Sequence, residues 1–429
     1  MVGRRLALPV AAGTCLCAAL AGAAATSTSM AAAVCVALVL FLAFVLDRGG
    51  VLVGIASLLL FMASAVSVEQ MDKYQDAVRI AAIVVLAFGA ACGAVSTTGS
   101  GWDRGRSARP LFAAYLVGMT GYLVAATLPF GDTESLAVGS AGLVLLTAYL
   151  LLATKLLSPQ TLDVAVVSAL VAAVAFSLLL GFVLPDIAML GGRLQGITAN
   201  PNLLGMYAFL LVAAVVLRSR PWPLTLAAIG LGVAALVWTA SRGSALALLA
   251  TVIVGAGMKA GRARQLALPL LALGIIPVAL TVYGAEPTEI KLFRSNNSRE
   301  GSIQEVVDLV RTGSLGGVGI GNERTLLASS PLGAFVHGGV VALCSILLIY
   351  VAFLWLSWKA GRATFAFAVG AVVHSNFEAW LLSSMGPMLV LIALTWMSMP
   401  SADPGGRGGQ GAPSERVPVL VPHMPGRGA

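Results

Sequence analysis

Residues Arg193–Gly205 read RLQGITANPNLLG, a polar stretch set between two long apolar runs. It holds a fixed cation (Arg193), a permissive Gly196, and Asn200-Pro201-Asn202 leading into LLGMYAFLLVAAVV. Asn at the N-cap with Pro at the first helical position predicts a helix start. The run that follows is uncharged, longer than a strand and free of alternation, so it predicts a helix of membrane type. The unpaired N–H groups at such a helix start, with an arginine close by, suit an anion such as a phosphate. About forty residues on, Thr239–Ser244 (TASRGS) repeats the idea with Arg242.

The rest of the chain extends the same pattern. Of 429 residues, 59% are hydrophobic and 10% charged, against about 25% charged in soluble domains. Mean hydropathy is +0.94. The runs are helix-length and lack strict alternation, which excludes a transmembrane β-barrel. We therefore expect an all-α polytopic transmembrane helix bundle of about 12–14 spans. Its candidate spans are roughly 6–24, 31–46, 50–68, 77–96, 110–129, 136–154, 162–184, 202–217, 222–238, 243–258, 266–283, 332–357, 363–380 and 383–399. The formal net charge of +8 does not signal nucleic acid. With the N-terminus inside, Lys and Arg gather in the inner loops while the outer loops are acidic, as the positive-inside rule requires.

The domain reading is a transmembrane helical domain over 1–399 and a tail over 400–429. The tail is rich in Gly, Pro and Arg, without apolar periodicity, and is expected to be disordered in the cytoplasm. Residues 1–26 carry Arg4 and Arg5, an apolar stretch and small residues. They read as a signal peptide or as a retained signal-anchor-like first span, and we favour retention. The five cysteines fall inside spans, form no CxxC and lie near no histidine, so they read as apolar fillers. Asp163 reads as a helix-terminus charge, and Arg218-Ser219-Arg220-Pro221-Trp222 as a plain inner turn.

Residues 284–331 form one large extracytoplasmic loop. Ser302-Ile303-Gln304-Glu305 matches a capping box. The helix it opens has Ile303, Val306, Val307 and Val310 on one face and Gln304, Glu305, Asp308 and Arg311 opposite. Such a short amphipathic helix suits a membrane surface or a cap on the bundle. Arg294, Arg299 and Arg324 add positive charge. Gly316–Asn322 (GGVGIGN) follows no strand and opens no βαβ unit, so it reads as a flexible turn or a nest for an anion rather than a dinucleotide site. His337 sits near the outer end of a long span, and His374-Ser375-Asn376-Phe377-Glu378 makes the last outer polar cluster. No third metal-type ligand is spaced near either histidine, so no metal site and no cofactor are expected.

Taken in order, RLQGITANPNLLG, TASRGSALALL, SREGSIQEVVDLV, GGVGIGN and PLGAFVHGGVVAL cover roughly 193–343. This ordered set resembles the O-antigen ligase/polymerase-like superfamily of membrane glycosyltransferases. The likeness implies a cell-envelope enzyme of polysaccharide biosynthesis at the outer face of the bacterial plasma membrane, with both termini cytoplasmic. Its donor would be a polyprenyl-diphosphate-linked saccharide and its acceptor a glycan or lipid-glycan. It further implies that Arg193 and Arg242 neutralise the carrier's phosphates and that Arg299 matches a loop arginine of many members. The family's usual His-Asn pair falls here on Ala328 and Ser329, and a glutamate common before the following glycine falls on His337. The acceptor-activating role is thus left to His337, Glu323, His374 or Glu378, or activity is altered or lost. The expected catalytic set is Arg242, Arg193 and His337. The expected substrate-binding set is Asn200, Asn202, Ser241, Arg299, Arg324, Asn322, Glu323, His374 and Glu378. Arginines and helix N-termini stabilise a departing phosphate without a divalent ion, so the transferase is expected to be metal-independent. The alternative is a transporter or flippase for lipid-linked saccharide or another anion. Transporters favour midplane sites in two related halves, whereas the polar residues here cluster at one end. An inactive scaffold ranks third.

Overall fold

The computed structural model describes residues 51–63, 75–91, 105–218, 222–255, 300–324, 327, 329–383 and 386–399. The spans read at 6–24, 31–46 and 266–283, the tail, Arg299 and Ala328 lie outside these. The described elements are α1 (Val51–Ala63), α2 (Gln75–Ala91), α3 (Gly105–Thr127), α4 (Thr133–Leu156), α5 (Pro159–Val183), the single turn α6 (Pro185–Ala188), α7 (Pro201–Val216) and α8 (Trp222–Thr239). After them come α9 (Arg242–Gly255), α10 (Glu300–Arg311), α11 (Ser330–Ala360), α12 (Arg362–Ser375) and α13 (Pro387–Ser398). The protein is a helical membrane protein. Among the described residues four helical segments are long and apolar enough to cross a bilayer (Arg109–Phe130, Thr133–Thr154, Pro159–Val183 and Ser330–Ala360), and five more apolar helices are shorter.

One small departure from an all-α fold matters for the site. Met189–Leu190 (β1) pairs antiparallel with Arg193–Leu194 (β2). The turn between them, Gly191-Gly192, has φ of 55° and 71°, the positive values that a two-residue hairpin demands of both its central residues. This hairpin follows α6, which Pro185 opens immediately after α5 ends.

Helix α7 is the axis of the bundle. Every residue of it except Asn202 is buried, and it packs against α5, α8, α9 and α13. A helix apolar on all sides has no solvent face to give up, so it belongs in the interior. Small residues let its neighbours approach. A Cβ on Gly205 would fall 2.4 Å from Ser241 Cβ, and one on Gly370 of α12 would fall 2.0 Å from Thr251 Oγ1 of α9. Close backbone approach of this kind is how membrane helices gain packing energy.

At the C-terminal end of α7, Arg218 is only 5% exposed. Its guanidinium pairs with Asp163 of α5 and donates to Thr395 O (3.2 Å) and Ser398 Oγ of α13. The residue read as part of a plain inner turn is therefore a buried pin, and Asp163 is its ion-pair partner rather than a simple helix-end charge.

Helix α11 is two helices joined by a break. Gly338 (φ −132°, ψ 24°) and Gly339 (φ 62°, ψ −150°) are both non-helical. The break frees carbonyls, and the glycine-rich segment supplies their donors. Val318 N–H donates to Val336 O (2.8 Å), Gly319 N–H to His337 O (2.8 Å), and Ile320 N–H to Ala126 O of α3 (3.3 Å). In return, Val340 N–H donates to Leu315 O (3.0 Å). The N–H groups of Val318, Gly319 and Ile320 are thus bound to carbonyls, which corrects the expectation of an anion nest: GGVGIGN is a plug for a helix break.

Gly339 occupies backbone space essentially reserved for glycine, and a Cβ there would lie 1.9 Å from Leu315 O. Gly339→Ala is expected to lower stability by about 1–3 kcal/mol from backbone strain, with further loss as the plug is displaced. Gly230→Ala, where an added Cβ meets nothing within 4 Å, is the control. Thermal melts in detergent that fail to separate the two variants would count against this account of the break.

Candidate functional site

The two arginine corners read separately in the sequence meet in space. From β2, Arg193 sends Nε to Thr239 O (2.7 Å) and Nη2 to Ala240 O (3.4 Å). Those two carbonyls belong to the last residue of α8 and the turn after it, just before Arg242 opens α9. Ala240 itself has φ of 48°, the only positive φ at a non-glycine among the described residues. The residue is small, and the αL backbone it adopts turns the chain sharply from α8 into α9. Arg193 thus anchors the corner that presents Arg242.

The same guanidinium reaches the helix start on its other side. Arg193 Nη2 donates to Asn202 Oδ1 (2.7 Å), and Asn202 Nδ2 donates to Glu378 Oε1 (2.6 Å). Asn202 therefore stands between a cation and a carboxylate, its amide oriented by both. It is the one residue of α7 that is not buried, so the axis of the bundle presents its single polar side chain here. Glu378 is fixed in turn by its backbone, because Ser330 Oγ donates to its carbonyl (3.0 Å) and accepts from Leu381 N–H (3.3 Å). Asn200 caps α7 as the sequence indicates, accepting from Leu203 N–H (2.9 Å). Its extended backbone (φ −158°, ψ 160°) and Pro201 at the first turn complete the helix start.

A second chain of hydrogen bonds runs beneath Arg242. Ser241 Oγ and Ser244 Oγ are 2.8 Å apart, and Ser244 Oγ lies 3.0 Å from His374 Nε2. His374 is fully buried, with its ring parallel to Phe209 at a centroid distance of 6.3 Å. The loop after α12 closes over this point. A Cβ on Gly243 would fall 2.7 Å from Phe377 Cβ, so glycine in the first turn of α9 lets the 376–378 segment lie against the helix start. Arg193, Asn202, Ser241, His374 and Glu378 are thereby gathered with the Arg242 corner at one place.

The remaining predicted residues belong to another cluster. His337, just before the α11 break, has Nδ1 2.8 Å from Tyr122 Oη of α3 and Nε2 3.6 Å from Glu323 Oε2. Glu305 of α10 accepts from Arg324 N–H (2.8 Å) and is 7% exposed. This corrects one expectation, while the capping box read at Ser302 lies at a side chain outside the described ones. Glu305 faces the protein rather than the polar outside, while Ile303 and Val310 of the apolar stripe stay exposed. Asn322 closes the glycine-rich turn by donating to Val318 O (3.1 Å), and the Arg324 side chain is exposed.

Sequence reasoning missed Tyr122, Ser244, Ser330 and the inward role of Glu305. Tyr122 carries no local signal, since it is one apolar-run aromatic among several, and only the α3–α11 packing brings it to His337. Ser244 does have one, because it stands three residues after Ser241 at a helix start. Among the described residues no group of three His, Cys, Asp or Glu side chains is placed to hold a metal ion. No protein-family model matches the chain, and no curated protein matches it.

Proposed function

We propose that the protein is a cell-envelope glycosyltransferase of O-antigen ligase/polymerase type. It takes a glycan from a polyprenyl-diphosphate carrier at the outer face of the bacterial plasma membrane and passes it to a glycan or lipid-glycan acceptor. The observation that carries this reading is the convergence of the two arginine corners, with Arg193 bound to the carbonyls that lead into Arg242. A fixed guanidinium and a helix N-terminus side by side form a preorganised receptor for a diphosphate. As the glycosidic bond to the carrier breaks, negative charge grows on the leaving diphosphate. Groups held in place before the reaction stabilise that charge without reorganisation, and one such donor is typically worth ~10² in rate. Asn202 and Glu378 keep Arg193 aimed, and the first-turn amides of α9 lie beside Arg242.

The test is loss of donor and growth of product with purified protein in detergent micelles, given a polyprenyl-diphosphate oligosaccharide and candidate acceptors. Micelles have no two sides, so lipid flipping cannot register. Turnover is the expected result. Donor binding without turnover would overturn the transferase reading and favour a transporter.

A further inference from the structure

An apolar cavity of about 70 Å³ lies next to the arginine cluster, walled by α3, α4, α11 and α13 and closed at one end by Trp380 and Leu381 of the 3-10 turn Trp380–Leu382. No polar atom reaches its surface, so Tyr115, Trp380 and Trp396 present only ring carbons to it. A cavity lined by hydrocarbon stays dry and takes an apolar guest. Its walls lose dispersion contacts while it is empty, so a hydrocarbon occupant is favoured.

The length of the cavity selects a chain. Along α13 its wall runs from Leu389 to Met397, eight residues that span about 12 Å at helical rise. Half of the roughly 30 Å hydrocarbon core of a bilayer is about 15 Å, the depth of one leaflet's acyl chains. The cavity is therefore matched to a single acyl chain.

One end carries the charge for a headgroup. Trp396 Nε1 donates to Ser357 Oγ of α11 (2.8 Å), and Ser398 meets Arg218, so Met397 lies at the Arg218 end of the bundle. Helices α3 and α11 run antiparallel, because a Cβ on Gly118 would fall 2.5 Å from Ile349 Cγ1 and one on Gly121 2.7 Å from Ser345 Oγ. That register brings the start of α3 beside Ser357, at the same end. Leu111, Phe112, Phe353 and Ala393 are the lining residues that keep partial exposure, and the first three lie toward this end, which places the mouth there. Beside the mouth stand Arg109 and Lys359, both exposed. Cations at this level attract anionic lipid headgroups.

The other end touches the arginine cluster. Leu381 N–H donates to Ser330 Oγ, which donates to Glu378 O, and Glu378 Oε1 accepts from Asn202. Whatever packs against Trp380 and Leu381 braces the turn that carries Glu378.

We propose that the cavity binds one acyl chain of an anionic phospholipid, which enters from the Arg218 end with its phosphate at Arg109 and Lys359 and its chain end against Trp380. The lipid is a structural ligand of the Glu378 turn. This site is separate from the diphosphate receptor and does not depend on the transferase reading.

The test uses full-length protein, delipidated in detergent and titrated with phosphatidylglycerol brominated along its acyl chains, with tryptophan fluorescence as the readout. Trp355 and Trp358 are exposed, so a Trp355→Phe/Trp358→Phe background lowers quenching by bulk lipid. Quenching is expected to saturate at one lipid per protein. Arg109→Gln and Lys359→Gln should each weaken binding about fivefold. Ala393→Phe, whose added ring fills the cavity, should abolish the saturable phase. Saturating phosphatidylglycerol should also raise the melting temperature of the wild type and leave that of Ala393→Phe unchanged. Quenching that never saturates, or binding unchanged in both charge variants, would overturn the proposal. Displacement of the brominated lipid by an equimolar polyprenyl diphosphate would assign the cavity to another chain and overturn it as well. Should Ala393→Phe fail to fold, the two exposed charge variants still decide.

Discussion

Replacing Arg218 with alanine is expected to be among the most destabilising single changes in this protein. The guanidinium joins α5, α7 and α13 through Asp163, Thr395 O and Ser398. Truncation leaves the Asp163 carboxylate without its cation and takes the guanidinium donor from Ser398 Oγ, while Thr395 O keeps its bond from Ser398 Oγ (3.0 Å). Removing one partner of a buried ion pair costs about 3–5 kcal/mol, a large share of the roughly 5–15 kcal/mol that holds a typical protein folded. Lysine should rescue only in part, because an ammonium on a flexible stem does not reproduce the planar fork that bonds in several directions at once. Replacing Arg218 and Asp163 together with apolar residues of similar volume should recover much of the loss, since no charge is then stranded. Thermal melts of the purified variants check the series. An Arg218→Ala curve superimposable on the wild type would show that the pin contributes nothing.

That pin marks where sequence stops being legible. The helices of α1–α5, α7–α9 and α11–α13 follow from long uncharged runs bounded by Pro, Asn, Ser and Gly, which are local signals of strong physical origin. The cap at Asn200 is legible for the same reason. Arg218 is not, because an arginine after an apolar run looks the same whether it meets water or a half-buried carboxylate fifty-five residues earlier in the chain. The candidate site divides along the same line. Arg193 and Arg242 stand out as cations beside helix starts, yet nothing local says that one binds the carbonyls leading to the other. The glycine-rich GGVGIGN carries the composition of an anion nest, but its donors are claimed by a break in α11 that Gly338-Gly339 creates only in three dimensions. Glu305 sits at a polar position of an amphipathic period, and which face of that helix turns inward is decided by its neighbours, not by its own pattern.

Arg242→Ala and Arg193→Ala are both expected to lower transfer by at least ~10²-fold, the usual cost of losing one preorganised donor to a developing oxyanion. Their effects on folding should differ. Arg193 binds Thr239 O, Ala240 O and Asn202, so its loss also frees the corner between α8 and α9 and the amide that links to Glu378. Three hydrogen bonds from a charged group, at about 1.5–3 kcal/mol net each, are enough to lower the melting temperature measurably. Arg242→Ala leaves Arg193 on the Thr239 and Ala240 carbonyls and so keeps the corner closed, and it should lose turnover with the smaller loss of melting temperature. Asn202→Leu separates the two contributions further. It keeps the bulk at the helix start and leaves Arg193 on its two carbonyls, but it removes the link to Glu378, so turnover should fall through misaimed guanidinium while melting changes less than in Arg193→Ala. Donor consumption in micelles and thermal melts, measured on the same preparations of the three variants, make the comparison. Wild-type turnover in both arginine variants would remove the diphosphate receptor from this corner. Equal melting losses in all three would mean that the cluster is structural and that the chemistry lies elsewhere.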